Sequence, residues 1–230
     1  MEDLFKNKVI SLLIVTFLLI KQCESISTYR CKNETNACGC SRRPEVRLKI
    51  DGGQSALFSN WDWIVSIRSL NDHFCGGSVL NEWYIITAAH CLEDAINIKS
   101  RIRICAGTFR LSDPCQQSRR MHSFVFHPLY NKTTHENDIA LIRLTTPLDL
   151  SDSSVTPICL PSADYPDDYP EVGTEVVSIG WGELKIGTMP DELQEVSLKI
   201  MDKSSIHCSH LQNNQTQLCA GDLGKGILLL

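Results

Sequence analysis

Short runs rich in branched and aromatic apolar residues recur along the chain. Trp63-Ile64-Val65-Ser66-Ile67, Tyr84-Ile85-Ile86-Thr87, Ile139-Ala140-Leu141-Ile142-Arg143-Leu144 and Glu175-Val176-Val177-Ser178-Ile179 are the clearest of them. Gly, Pro, Asn and Asp clusters separate the runs, and no helix–strand alternation marks a βαβ unit. This spacing predicts an all-β barrel or sandwich built from short strands. The proline-bearing stretch from Pro157 to Pro170 reads as a connection between two halves. Trp61, Trp63, Trp83 and Trp181 are expected in the core and at the junction of those halves.

The N-terminal pattern is different. Lys6 and Lys8 precede an apolar run from Val9 to Ile20, which Lys21 ends. A membrane span takes about 20 apolar residues, so this shorter run predicts a secretory leader. Small residues at Cys23 and Ser25 place its cleavage after Ser25, giving residues 1–25 as signal peptide. Residues 26–49 are polar, carry cysteines and lack strand or helix periodicity, as expected of a pro-segment.

With 230 residues, 43% hydrophobic and 21% charged, the composition is that of a globular chain large enough for one domain or two small barrels. A net charge of -5 and a pI near 5.8 give no overall basic field, which excludes nucleic acid and anionic membrane as main partners. Arg42-Arg43 and Arg119-Arg120 are read as solvated loop residues. Eleven cysteines in a secreted chain indicate a disulfide framework; loss of Cys23 with the leader leaves an even ten. Asn33, Asn131 and Asn214 each open an Asn-X-Thr sequon, and all three lie in polar stretches suited to surface glycosylation.

Two motifs carry candidate chemistry: Thr87-Ala88-Ala89-His90-Cys91 and Asn137-Asp138-Ile139-Ala140-Leu141. An imidazole can accept and return a proton near neutral pH, and a carboxylate can hold its tautomer. Taken singly, His90 is equally a loop histidine, and Asn137-Asp138 equally a turn ahead of a strand.

The ordered set decides between them. Ile50-Asp51-Gly52-Gly53, Phe74-Cys75-Gly76-Gly77-Ser78, the two motifs above, Pro157-Ile158-Cys159-Leu160-Pro161, Gly180-Trp181-Gly182 and Cys219-Ala220-Gly221 follow one another. From Ile50 onward the chain resembles the secreted serine endopeptidases of the trypsin and chymotrypsin family. The resemblance implies a double six-stranded Greek-key β-barrel, with the protease domain at 50–230, a first barrel at about 50–156 and a second at about 157–230. It implies His90 as general base and Asp138 as its orienting carboxylate. Activation would follow cleavage between Lys49 and Ile50 by an activating protease. Protein or peptide substrates and protease inhibitors are the implied partners. No cofactor or metal is called for, and no membrane contact after leader removal.

Disulfide pairing is likewise implied by the resemblance. Cys75 would join Cys91, Cys208 would join Cys219, and Cys38 or Cys40 would tether the pro-segment to Cys159. Cys105 with Cys115 would add a local loop, leaving a pro-segment pair that includes Cys31. A partner for Cys208 removes the metal-binding reading of His207-Cys208-Ser209-His210.

One part of the family pattern is missing. Beyond Cys219-Ala220-Gly221 the family supplies a specificity residue, a cysteine and Gly-Asp-Ser-Gly-Gly, whereas this sequence runs Asp222-Leu223-Gly224-Lys225-Gly226 into four apolar residues. The expectation is a truncated chain with an unclosed second barrel and an apolar tail left exposed. Without nucleophile, oxyanion hole or pocket, these residues are expected to be inactive. The alternative is a pseudoprotease that acts as a binding or decoy module.

Overall fold

The computed structural model describes residues 18–19, 38–40, 54–55, 61–161, 170–183, 189–209, 211–213, 215–222 and 226–229. Lys49, Ile50, Asn33, Asn214 and Cys31 lie outside these residues, as does most of the expected leader and pro-segment.

Six antiparallel strands close a barrel in the first half. They are β3 (Ile64–Ser69), β4 (Asp72–Val79), β5 (Tyr84–Thr87), β6 (Ile102–Ala106), β7 (Gln117–Phe126) and β8 (Ala140–Leu144), in the order β3-β4-β5-β8-β7-β6 with β6 returning to β3. Successive strand residues point to opposite faces. Val65, Ile67, Ile85, Ile102, Ile104, Ala140, Ile142 and Leu144 fill the barrel interior. Their sequence neighbours Ile64, Ile86 and Leu141 face outward, yet they too are buried, against Trp61, Trp63, Ile158, Ile179 and Trp181. Both faces of β3, β5 and β8 are therefore covered on this side, and the runs read as nearly continuous apolar stretches for that reason.

The second half is a six-stranded sheet. β9 (Glu175–Gly180) and β10 (Gln194–Ile200) pair antiparallel, β11 (Cys219–Asp222) pairs β10, and β12 (Gly226–Leu229) pairs β11. β2 (Gln54–Ser55) joins β10, and β1 (Leu18–Leu19) lies along β9. Among the described residues this sheet does not close into a barrel. Helical structure among the described residues is confined to short turns such as Ala95–Ile98 and His90–Leu92. No helix among the described residues is long and apolar enough to cross a membrane.

Three expectations need correction. The apolar tail is not left loose, because Ile227, Leu228 and Leu229 pair with Gly221, Ala220 and Cys219 and give the β11 edge its hydrogen-bonding partner. Arg119 and Arg120 are not loop residues, since both lie within β7. Trp83 is not core: it remains 37% exposed in the turn before β5, where its backbone N–H donates to Asn81 Oδ1. Trp61, Trp63 and Trp181 are buried at the junction.

Among the described residues four disulfides staple the two halves internally and to the N-terminal segment: Cys75–Cys91, Cys105–Cys115, Cys208–Cys219 and Cys38–Cys159. Cys38, rather than Cys40, is thus the residue joined to Cys159. Cys40 is itself disulfide-bonded. The 121-residue separation of Cys38 and Cys159 makes theirs the longest covalent loop of the four.

Candidate active site

Strand register brings the two motifs together. Thr87 at the end of β5 is paired with Ala140 at the start of β8. His90 follows the first by one tight turn, and Asp138 precedes the second by two residues. Ala88 and Ala89 are buried and carry the chain through this crowded corner. The 3-10 turn His90–Leu92 is then pinned from below by Leu92, buried in the barrel core, and from the side by the Cys75–Cys91 bridge.

Asp138 is reached from a left-handed backbone. Asn137 has φ of 52°, a conformation that Asn tolerates because its side chain bonds locally. Its Nδ2 donates to Leu129 O at 3.0 Å. Asn131 stitches the same loop, its Oδ1 accepting from the backbone N–H groups of Thr133 and Thr134. Asn131 itself is exposed.

The resulting geometry is a double clamp. Asp138 Oδ2 lies 2.6 Å from His90 Nδ1, and Asp138 Oδ1 accepts the His90 backbone N–H at 2.8 Å. A carboxylate bonded this way fixes Nδ1 as the protonated nitrogen and leaves the lone pair on Nε2. The hydrogen bond to Asp138 raises the His90 pKa above its usual value; burial opposes this, and the charges of Asp138 and Glu93 add to the rise. His90 keeps 48% of its side chain exposed against 14% for Asp138, so the imidazole faces solvent and its partner does not.

Nε2 lies 3.5 Å from Cys91 Sγ. A disulfide sulfur has no proton to donate, so in the Nδ1–H tautomer this is packing contact. His90 and the sulfurs of Cys75 and Cys91 cluster closely enough to suggest metal ligation, but both sulfurs belong to the bridge and neither offers a thiolate. Among the described residues no serine or threonine hydroxyl bonds to His90, and Gly-Asp-Ser-Gly-Gly occurs nowhere in the 230 residues.

A second layer was invisible in the sequence. Glu93 accepts from Tyr130 Oη at 2.6 Å and pairs with Lys132 Nζ at 2.7 Å. Those two bonds, Lys132 first, hold the Glu93 carboxyl below its ordinary pKa. The His135 ring sits 5.7 Å from that of His90, centroid to centroid. No motif links Glu93 to residues 37 or more positions away, and only the fold of the loop joins them.

Comparison with known proteins agrees with this architecture. The trypsin family model matches residues 50–227. Serine proteinase stubble of Drosophila melanogaster is 37% identical over 196 residues, covering 78% of this chain and 24% of that protein. Transmembrane protease serine 11C of Mus musculus is 33% identical over 206 residues, 82% of this chain and 46% of that one. Ovochymase of Halocynthia roretzi is 34% identical over 202 residues, 83% and 12% respectively. The chain thus spans less than half the length of each of these relatives. A solved human heparin binding protein shares the fold, with TM-score 0.64 and 24% identity over 79% of this chain and 80% of that one. With the family model matched across both halves and a histidine–aspartate pair seated between β5 and β8, the chain belongs to the trypsin family of serine proteases.

Proposed function

We propose that the site is the proton-transfer half of a peptide-bond hydrolase, with His90 as general base and Asp138 as the group that sets its tautomer. The observation that carries this reading is the paired contact of Asp138 with both the ring and the backbone of His90. It leaves Nε2 free to take a proton from an attacking hydroxyl and return it to a leaving amine. The substrates are proteins or peptides. The setting is extracellular, with an activating protease cutting between Lys49 and Ile50 and glycans at Asn33, Asn131 and Asn214.

These 230 residues supply no nucleophile motif and, by this proposal, do not turn over on their own. Purified chain treated with a fluorophosphonate active-site probe should remain unlabelled. Labelling that disappears in His90→Ala would overturn the inactivity and establish a working nucleophile.

The second reading is a pseudoprotease that binds without cutting. It is favoured by an ordered base-side wall standing in a sequence that lacks the serine motif. Surface plasmon resonance against a protein inhibitor of serine proteases tests it: saturable binding by the unlabelled chain supports this reading, and no binding rejects it.

A further inference from the structure

The outer face of the closed barrel holds a row of like charges. Arg103 on β6 stands opposite Arg120 on β7 and, on its other side, opposite Arg68 on β3. Their sequence neighbours Ile67, Ile102, Ile104 and Met121 fill the barrel interior. The period of two turns Arg103 and Arg120 out to solvent, whereas Arg68, next to a register shift in β3, is covered. Adjacent strands lie about 4.8 Å apart, so the three arginines occupy neighbouring positions across the sheet.

Directly opposed like charges destabilise a sheet. Among the described residues no carboxylate forms an ion pair with Arg103 or Arg120, while the charge of Asp191 favours that of Arg68. Arg143 is exposed on β8, and Lys99 and Arg101 are exposed in the turn that enters β6 and lies against β7. Arg68 is buried behind the row, donating from Nε to Ser66 Oγ while its Nη2 finds no hydrogen-bond partner. A chain with net charge -5 thus concentrates cations on one rigid face.

We propose that this face, comprising Lys99, Arg101, Arg103, Arg120 and Arg143, binds a sulfated polysaccharide. Charge complementarity asks for a polyanion, and the rest of the surface selects its kind. None of the exposed large hydrophobic residues lies on β6, β7 or β8. Among the described residues the exposed large apolar side chains near the face stand at its edges, Leu70 beside Arg101 and Trp83 beside Arg143; β6, β7 and β8 themselves offer a protein no such anchor and single-stranded nucleic acid no exposed Phe, Tyr or Trp ring. Sulfate esters need neither, since the planar guanidinium fork pairs with tetrahedral oxyanions directly and binding releases condensed counterions.

The test uses the full chain against a size-defined dextran sulfate, with unsulfated dextran and a DNA duplex of matched charge as comparators. Dextran sulfate should bind, unsulfated dextran should not, and affinity should fall steeply between about 0.05 and 0.2 M salt. Arg103→Ser with Arg120→Ser should weaken binding about tenfold or more and flatten the salt dependence. The same variant should melt no lower than the parent, because the opposed charges are gone. Arg143→Ser, which leaves the row untouched, should weaken binding to a smaller degree. Lys199→Ser on β10 should change nothing. Absence of dextran sulfate binding, equal or tighter binding to DNA, or full binding by the double variant would each overturn the proposal.

Discussion

Asp138 touches His90 twice, through Oδ2 to the ring Nδ1 at 2.6 Å and through Oδ1 to the backbone N–H at 2.8 Å. The first contact sets the protonation state of the imidazole. The second fixes where its Cα stands. A single side chain thereby controls both the protonation and the position of the imidazole, and the two effects can be separated by substitution.

Asp138→Asn keeps an acceptor for the backbone N–H and removes the charge. Because the Asp138 hydrogen bond is the largest cause of the raised His90 pKa and burial works against it, the variant pKa should fall, to below the ordinary value of 6.5. Titration of the His90 ring proton by NMR reads this directly. A group whose pKa is raised on folding stabilises the fold below its unfolded pKa and loses that contribution as pH rises through the folded value. The variant should therefore be most destabilised, relative to the parent, below about pH 6.5. An unchanged titration would remove Asp138 from its assigned role.

The turn bearing His90 depends on the Cys75–Cys91 bridge, whose half-cystines are 16 residues apart. Replacing both cysteines by serine should cost about 3 kcal/mol by loop-closure entropy. Urea unfolding measures the loss. Hydrogen exchange should show it as faster opening at residues 90–92 than at β6, which the bridge does not restrain.

Much of this was legible in advance, for identifiable reasons. The runs at 84–87 and 139–144 declared strands because branched apolar residues crowd them, and the His90 and Asp138 motifs declared their pairing through family resemblance. The division of neighbouring residues between barrel core and junction was not legible: Ile85 and Ile86 look alike in sequence, and only closure of the barrel sends one to each side. Arg119-Arg120 gave no strand signal because arginine has none, and their place is set by pairing with Ile104 and Arg103. The tail gave no sign of pairing with Cys219–Asp222, a tertiary contact that local pattern does not encode.

Gly77 illustrates a constraint that the motif Cys75-Gly76-Gly77 carries without displaying. A Cβ there would stand 2.9 Å from Ile86 O and 3.0 Å from Ile85 Cγ2. Neither can retreat easily, since one is strand backbone and the other a fully buried side chain. Gly77→Ala should push β4 from β5 and destabilise by about 1–3 kcal/mol. Chemical denaturation gives the figure, and wild-type stability in the variant would mean that the sheet yields at this point.

His73 supplies a second, independent pH dependence. Arg68 Nε–H donates to Ser66 Oγ, so the Ser66 hydroxyl proton is free to point at His73 Nδ1, 2.9 Å away. His73 must then be the acceptor, which requires Nδ1 unprotonated. Protonation would break that bond inside a packed site, with the Trp181 ring centred 5.5 Å away and the Arg68 charge nearby. Burial, followed by Arg68, accordingly pushes the His73 pKa down to about 4. The unfolded chain binds this proton at about 6.5 and the folded chain only near 4, so between those values the unfolded state carries more protons. The contribution to stability is complete above pH 6.5 and is lost as pH falls towards 4. His73→Asn offers a neutral oxygen to the Ser66 hydroxyl at every pH, and its unfolding free energy should vary less between pH 4.5 and 7 than that of the parent. Parallel pH profiles for the two proteins would show that the acid sensitivity of this fold arises elsewhere.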